Sequence, residues 1–312
     1  MNSSNVTTTV TEFILMGFPG LLPQHNGLAA TTLFLIYIVL ATGNIFIIVF
    51  VAWERSLRKP TYFIFCNLAL CDLSFGTATL PRVISRYWTG DKVVSFNECF
   101  TQMYFVHFLG ANSSFLLALM ALDQFIAINY PLRYPILMKN STITVLCTCS
   151  WLFNVIQMAA VVIQALSLHY CGPNVITQCY CDHIAITRLA CENVREIQVI
   201  AFGKAMFILL GPLSFIIFSY ISIIISVMKI SNTEGRYKTF STCTPQLLII
   251  CLYYLPRSFV YLANNIGFHI STDIRIMLIM CYSLFPALIN PFIYCFRTKE
   301  IKEALIKRFK SR

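Results

Sequence analysis

The sequence has little charge: Asp, Glu, Lys and Arg make up only 12% of its 312 residues, against about 25% in a typical soluble domain. Hydrophobic residues make up 57%, and the mean hydropathy is +0.71. This composition excludes a water-soluble globular protein. A membrane-spanning helix needs about 20 apolar residues, so the chain can hold seven of them with short connections. We therefore predict an all-α membrane protein, a seven-transmembrane helix bundle followed by a short amphipathic C-terminal helix.

The sequence also lacks the motifs that mark common enzymes and transporters. It has no nucleophile elbow, no Walker loop and no HExxH motif, so we predict no enzyme, no catalytic residue and no cofactor. The cluster Cys179–His183 could hold zinc, but its cysteines are better explained as disulfide partners. No internal repeat is visible, which disfavours a repeat-built transporter. Met1–Glu12 lacks the cations and apolar core of a signal peptide, so we expect the first helix to direct insertion.

The formal charge of +10 does not indicate nucleic acid, because the cations form no basic patch interleaved with aromatics. The odd-numbered loops and the C-terminal tail carry 15 of the Lys and Arg residues, and the opposite side carries six. The positive-inside rule then places the C-terminus in the cytoplasm and the N-terminus outside. The predicted parts are an extracellular tail (residues 1–27), a seven-helix domain (28–294) and a cytoplasmic amphipathic tail (295–312) that lies on membrane lipids.

The side predicted to be extracellular carries two further features. Sequons at Asn2 and Asn5 become glycosylation sites if the N-terminus reaches the lumen. Five of the 13 cysteines lie on this side, where disulfides persist: Cys99, Cys171, Cys179, Cys181 and Cys191. Since five is odd, at least one is free or pairs elsewhere, and spacing alone does not choose the connectivity.

Asp72, Lys204 and Arg257 are charged residues deep inside predicted spans. Such a side chain is tolerated where it faces a polar partner or a wet cavity. Asp72 is either part of a hydrated polar network or a protonated structural group. The two cations either face a cavity that suits an anion, with Arg257 offering a bidentate fork, or snorkel to the surface. They could also pair with the loop acids Asp182, Glu192 or Glu196.

Several short motifs follow one another in a specific order and spacing. They are Gly43-Asn44, KPTYF at 59–63, LALCDL at 68–73, MALDQFIAINYPLRY at 120–134, Ser219-Tyr220, KTFSTC at 238–243 and PALINPFIY at 286–294. Together they resemble the motifs of the odorant receptors, a large branch of the rhodopsin-like G-protein-coupled receptors, over nearly the whole chain. The KTFSTC segment is similar to KAFSTC, which separates odorant receptors from other rhodopsin-like receptors.

By this resemblance, Cys99 pairs with Cys181 and Cys171 with Cys191, which leaves Cys179 free. The long loop after the fourth span would then be a lid over the bundle. The resemblance also surrounds Asp72 with a polar network that can hold sodium, formed by Asn44, Ser113 and Asn290. The ligand-binding positions that it implies are Arg257, Lys204, His107, Tyr254, Ser258 and Tyr261.

The resemblance places G-protein coupling at the cytoplasmic ends of the helices. The residues expected to carry it are Asp123, Gln124, Tyr134, Tyr220, Lys238 and Tyr294. Two of the family's positions differ in this chain, because Gln124 stands where the family usually has Arg and Phe125 where it has Tyr. Asp123 therefore loses its adjacent cation. Pro245-Gln246 also replaces the usual Ser-His. These departures predict weakened or altered coupling.

The resemblance implies an odorant receptor at the plasma membrane of olfactory sensory neurons. Its expected ligand is a small odorant, with a carboxylate or an amino acid as the candidate anion, and its expected partner is a heterotrimeric G protein of the olfactory stimulatory type. One alternative is another rhodopsin-like receptor, or a non-signalling relative because of Gln124. A transporter or channel is a less favoured alternative.

Overall fold

In a computed structural model of the protein, the described residues are 10–171, 173–229, 231–265 and 271–310. They form seven long helices: α1 (Asn26–Trp53), α2 (Pro60–Thr89), α3 (Phe96–Asn129), α5 (Asn140–Leu166), α7 (Arg195–Met228), α8 (Thr233–Asn265) and α9 (Thr272–Arg297). Short helices complete the numbering: α4 (Tyr134–Leu137), α6 (His183–Thr187) and α10 (Lys299–Lys310). The predicted seven-helix bundle with a short C-terminal helix is confirmed.

Six of the long helices, α1, α2, α3, α5, α7 and α9, are long and apolar enough to cross a membrane. The remaining one, α8, has 33 residues and is therefore about 50 Å long. Its first fourteen residues, TEGRYKTFSTCTPQ, are largely polar. We assign the seventh span to α8 because the sequence from Leu247 onward is mainly apolar.

Proline and glycine set several helix ends and interruptions. Pro60 occupies the first turn of α2, where its missing amide donor costs nothing. Gly90 ends the same helix in the left-handed conformation, with φ of 79°. Pro212 and Pro256 lie inside α7 and α8, where each removes a backbone donor and favours a bend.

The third long helix, α3, lies at the centre of the bundle and packs against α2, α5, α7 and α8. Its residues Leu116, Leu117 and Met120 are at most 1% exposed. Apolar side chains also cover the outside of the bundle, for example Leu28 and Phe218, both more than half exposed. This distribution is expected where hydrocarbon, rather than water, surrounds the helices.

The N-terminal segment and α10 lie at opposite ends of the bundle, which we call the outer end and the inner end. At the outer end, β1 (Glu12–Leu15) is the central strand of a small sheet. It pairs antiparallel with β2 (Val93–Ser95) and parallel with β3 (Val175–Ile176). The inner end holds α10 next to the turn between α1 and α2.

Part of the segment predicted to be an extracellular tail, residues 1–27, is folded onto the bundle. Phe13 is fully buried and Leu15 is 1% exposed. The buried Arg86 of α2 donates from Nε to the carbonyl of Leu15 at 2.9 Å, and the phenol of Tyr87 accepts from the amide of Phe18 at 2.8 Å. The predicted sites Asn2 and Asn5 lie outside the described residues.

Two disulfides hold the long loop between α5 and α7. Cys99 at the start of α3 is bonded to Cys181, with their Cα atoms 5.4 Å apart. Cys171 is bonded to Cys191, with a Cα separation of 5.7 Å. Cys179 is a free thiol and is 1% exposed. Burial raises its pKa to about 12, so it stays protonated and a poor nucleophile at neutral pH.

Candidate ligand cavity and inner cleft

A cavity of about 430 Å³ opens at the outer end of the bundle. Helices α3, α5, α7, α8 and α9 form its walls, and the loop that carries α6 covers it. Apolar side chains such as Val106, Met158 and Leu209 line much of its surface. A pocket of this size and character can bury a small organic molecule.

The charged groups around this cavity are mostly cations. Lys204 and Arg257 both line it, and Arg188 and Arg195 are exposed along its border. Among the described lining residues, Asp182 carries the one carboxylate. The ammonium of Lys204 makes no hydrogen bond or ion pair with any residue that the structure describes. The cavity therefore carries an excess of positive charge.

The guanidinium of Arg257 is held between two aromatic rings. Its Cζ lies 4.4 Å from the ring centroid of Tyr253 and 5.1 Å from that of Tyr282. Its Nη1 also donates to the hydroxyl of Tyr253 at 2.6 Å, and that hydroxyl donates to the carbonyl of Gly110 on α3 at 2.6 Å. These contacts position the cation at the cavity wall instead of letting it extend to the membrane surface.

Two histidines meet the loop above the cavity. Nε2 of His107 accepts from the backbone amide of His183 at 3.3 Å and lies 3.5 Å from Oδ1 of Asp182. Asp182 caps α6 by accepting from the amides of Ile184 and Ala185. Burial, with the neighbouring His107, lowers the pKa of His183 to about 4. His183 is therefore neutral at physiological pH.

Three of the six predicted ligand-binding residues, His107, Lys204 and Arg257, line the cavity. Tyr254 and Ser258 are absent from the lining, so their contact with a ligand stays a prediction. Tyr254 is 3% exposed and its hydroxyl is 2.6 Å from Oγ of Ser114, so it lies behind that residue. The side chain of Tyr261 is outside the described part of the chain.

The polar network predicted around Asp72 is only partly formed. Asn290 donates to Oδ2 of Asp72 at 2.7 Å. Asn44 donates instead to the carbonyls of Leu40 and Ala287, and Ser113 donates to its own helix. The Oδ1 atoms of Asn44 and Asn290 are buried and accept no hydrogen bond from the described residues. These oxygens and the carboxylate are hard donors that suit a sodium ion, so the sodium site remains a prediction.

Asp123 lies at the inner end of α3 and is held by two hydroxyls. Its carboxylate accepts from Oγ1 of Thr61 at 2.7 Å and from the phenol of Tyr134 at 2.8 Å. Burial and the nearby Asp123 raise the pKa of Tyr134, so this phenol keeps its proton and can donate. The adjacent Gln124 is 7% exposed, and its Oε1 lies 3.9 Å from the thiol of Cys243 on α8.

The other residues predicted to couple to a G protein are mostly buried in this conformation. Tyr220 is 7% exposed and Tyr294 is fully buried, stacked on Phe65 with centroids 4.2 Å apart. Both hydroxyls are buried without a hydrogen-bond partner among the described residues. Lys238 lies in α8, but its side chain is outside what the structure describes.

Several cavity residues escaped the sequence reasoning. They belong to the lid loop and the start of α7: His183, Arg188, Arg195 and Gln198. Only the excess of cations near the predicted loop could have pointed to them. The sequence predicts Asp182 as a partner for the cations, and in the structure it also lies in the lining.

The class of protein follows from the arrangement of the helices. The structure of squid rhodopsin superposes on this one with a TM-score of 0.73, covering 93% of this chain and 87% of that chain at 18% identity. The fold is therefore that of a rhodopsin-like seven-helix receptor.

Residues 33–312 match the family described as olfactory receptor. Human olfactory receptor 6A2 is 35% identical over 312 residues, covering 98% of this chain and 94% of the relative. Human olfactory receptor 2AT4 is 34% identical over 296 residues, covering 95% and 92%. Rat olfactory receptor 287 is 35% identical over 308 residues, covering 98% and 97%. The chain belongs to the olfactory receptor family. It is a multi-pass receptor of the plasma membrane and not an enzyme.

Proposed function

We propose that this receptor detects a small carboxylate odorant, or an amino acid, in the cavity at its outer end. The observation that carries the proposal is the pair Lys204 and Arg257 in the lining, together with the lack of a described partner for Lys204. A cation inside a membrane protein is costly unless a partner or water compensates it. A ligand carboxylate would supply that partner and accept from the guanidinium in bidentate geometry.

Matched pairs of acids and methyl esters test this proposal in cells that express the receptor with a second-messenger reporter. The wild-type receptor should respond to the acid and much less to its ester. Lys204→Met should reduce the potency of the acid by about tenfold or more, because hydrogen bonds to charged groups contribute about 1.5–3 kcal/mol. Lys92→Met, which changes an exposed loop cation outside the cavity, is the matched control. Equal responses to acid and ester in wild type would contradict the proposal.

We further propose that ligand binding opens the inner end to a heterotrimeric G protein of the stimulatory type. The buried hydroxyls of Tyr220 and Tyr294 support a second conformation, because an unpaired buried hydroxyl disfavours the state in which it lies. A ligand shifts such an equilibrium only by its differential affinity for the two conformations. The same movement would separate Gln124 from Cys243, whose sulfur–oxygen contact is weak at 3.9 Å.

Ligand-evoked cyclic AMP, measured for wild type and for Gln124→Arg at matched surface density, tests this coupling. A rise in wild type supports stimulatory coupling. A silent wild type together with a responsive Gln124→Arg would assign the loss of signalling to residue 124 and favour the non-signalling alternative. A current evoked by ligand in cells that lack the G protein would instead favour a channel.

We also propose that the outer end faces the exterior of an olfactory sensory neuron and the inner end the cytoplasm. The contacts of α10 hold it at the inner end: Cζ of Arg308 lies 4.4 Å from the ring centroid of Trp53, and Nη1 lies 3.9 Å from Oε2 of Glu54. Its remaining cations suit an anionic inner leaflet. Glycosidase treatment should lower the apparent mass of the wild type, and this shift should be lost when Asn2 and Asn5 are both replaced by Gln. Binding of an antibody to a C-terminal tag on intact cells would contradict the proposed orientation.

A further inference from the structure

His107 carries a hydrogen-bond donor that no described residue uses. Its Nε2 accepts the amide N–H of His183, and a nitrogen that accepts cannot carry a hydrogen of its own. The neutral ring then has its hydrogen on Nδ1. If the ring were protonated, Nε2 would turn its hydrogen to Asp182, 3.5 Å away, and Nδ1 would still bear one.

This donor is available to a molecule in the cavity. The His107 side chain is 33% exposed and lines the cavity. Within the described ranges, Nδ1 of His107 makes no hydrogen bond, whereas Nε2 is turned to the lid. Nε2 therefore contacts the lid, and Nδ1 is left with a donor for which the described residues supply no acceptor.

The spacing between His107 and Arg257 follows from the α3 helix. A Cβ built on Gly110 would lie 4.0 Å from Nη2 of Arg257, so the guanidinium approaches α3 at Gly110. Gly110 follows His107 by three residues and lies on the same face of the helix, about 4.5 Å deeper at 1.5 Å per residue. A ligand that reaches both groups therefore needs a second polar group displaced from the first by about 4.5 Å along the α3 axis.

We propose that His107 is a specificity-determining residue whose Nδ1–H binds a second oxygen on the ligand, so that the preferred ligands are carboxylic acids with a hydroxyl or oxo group on the third or fourth carbon. This inference rests on the proposed recognition of a carboxylate by Arg257 and Lys204. The carboxylate would lie at Arg257, the second oxygen one helical turn nearer the lid, and the alkyl chain against Val106 and Met158.

A series of eight-carbon acids tests the proposal by dose-response in cells. The probes are octanoate, β-hydroxyoctanoate, γ-oxooctanoate and ω-hydroxyoctanoate. The hydroxyl of the last one is at the far end of the chain, too far from the carboxylate to reach His107. Wild type should prefer the β- and γ-substituted acids over octanoate by about three- to tenfold, the range for one neutral hydrogen bond. The ω-substituted acid should gain nothing.

His107→Phe keeps an aromatic ring and removes the donor, so it should erase the preference for the oxygenated acids over octanoate. The lid contact of Nε2 that is also lost should shift the potency of all the acids together. His107→Asn keeps a donor near the same position and should retain part of the preference. His169→Phe is the matched control, because it makes the same substitution at a histidine of the lid loop that is 84% exposed and absent from the cavity lining.

The outcomes separate this inference from the function on which it rests. If octanoate activates the receptor and the oxygenated acids are no more potent, or if the preference survives in His107→Phe, the role of His107 is refuted and carboxylate recognition stands. If no acid activates a receptor present at the cell surface, both are refuted. Surface staining of each variant shows whether it has folded, and His107→Leu, which also lacks the donor, takes the place of His107→Phe if that variant fails to reach the surface.

Discussion

Replacing Arg257 by Met should make the receptor far less sensitive to acids. A charge-assisted hydrogen bond from a partly buried guanidinium to a carboxylate is worth about 1.5–3 kcal/mol. Because about 1.4 kcal/mol corresponds to a tenfold change in affinity, the half-maximal concentration of a carboxylate ligand should rise by about tenfold to about 150-fold. The response to a neutral ester, if present, should change little.

The same substitution also removes contacts inside the protein, and these must be separated from ligand recognition. Arg257 stacks on Tyr253 and Tyr282 at 4.4 and 5.1 Å, and each cation–π contact contributes about 0.5–1 kcal/mol at an accessible site. Arg257→Lys keeps the positive charge and loses the planar fork, so it should show an intermediate loss. Tyr253→Phe keeps the ring and removes the hydroxyl at 2.6 Å, and it should leave the potency of acids within about threefold of wild type.

The assay is a full dose-response curve for each variant, scaled to receptor density at the cell surface. An unchanged half-maximal concentration in Arg257→Met at normal surface density would refute the role of Arg257. An equal loss in Tyr253→Phe would show that the local packing, and not the charge, was responsible.

Three further predictions concern the cavity, the lid and the outer sheet. Gly110→Leu should fill the space beside Arg257 and reduce acid potency by at least about tenfold, whereas Gly110→Ala, whose Cβ would be 4.0 Å from Nη2, should stay close to wild type in the same assay. His183 has a lowered pKa, so below its ordinary value of 6.5 the unfolded chain binds a proton that the folded chain does not. The free energy of unfolding should therefore decrease as the pH falls from 6.5 towards 4, and at about pH 5.5 the decrease should reach about 1.4 kcal/mol. The melting temperature of purified His183→Phe should lack this part of the pH dependence. Phe13→Ala should cost about 3–5 kcal/mol because the side chain is fully buried; it should lower surface density, whereas the exposed control Glu12→Ala should not.

The long helices could be predicted from sequence because a span of about 20 apolar residues is a strong and local pattern. Hydropathy does not mark where α2 and α3 begin, because Pro60 occupies the first turn of α2 and the side chain of Ser95 caps α3 in polar sequence. The strand β1 could not be predicted, because four residues carry little information and its two partner strands are far away in the chain.

The cavity was only partly predictable for a related reason. Lys204 and Arg257 stand out because charge is rare inside an apolar helix, and the structure places both in the cavity lining. Tyr254 and Ser258 depend on the rotation of α8, and the structure turns Tyr254 towards Ser114. Tyr253, one residue earlier, instead contacts Arg257. A difference of one residue rotates a side chain by about 100° around a helix, which sequence alone does not fix.

The central position of β1 also sets an order of events while the chain is being made. The carbonyl of Glu12 accepts from the side chain of Asn174, 162 residues further along. At about 5–20 residues per second, translation needs roughly ten to thirty seconds to deliver that partner. Both edges of β1 are unpaired until β2 emerges, and the edge that pairs with β3 stays unpaired for the whole interval; such edges are where chains associate wrongly. A cell that displays this receptor must therefore shield the N-terminal strand β1 until β3 has been synthesised.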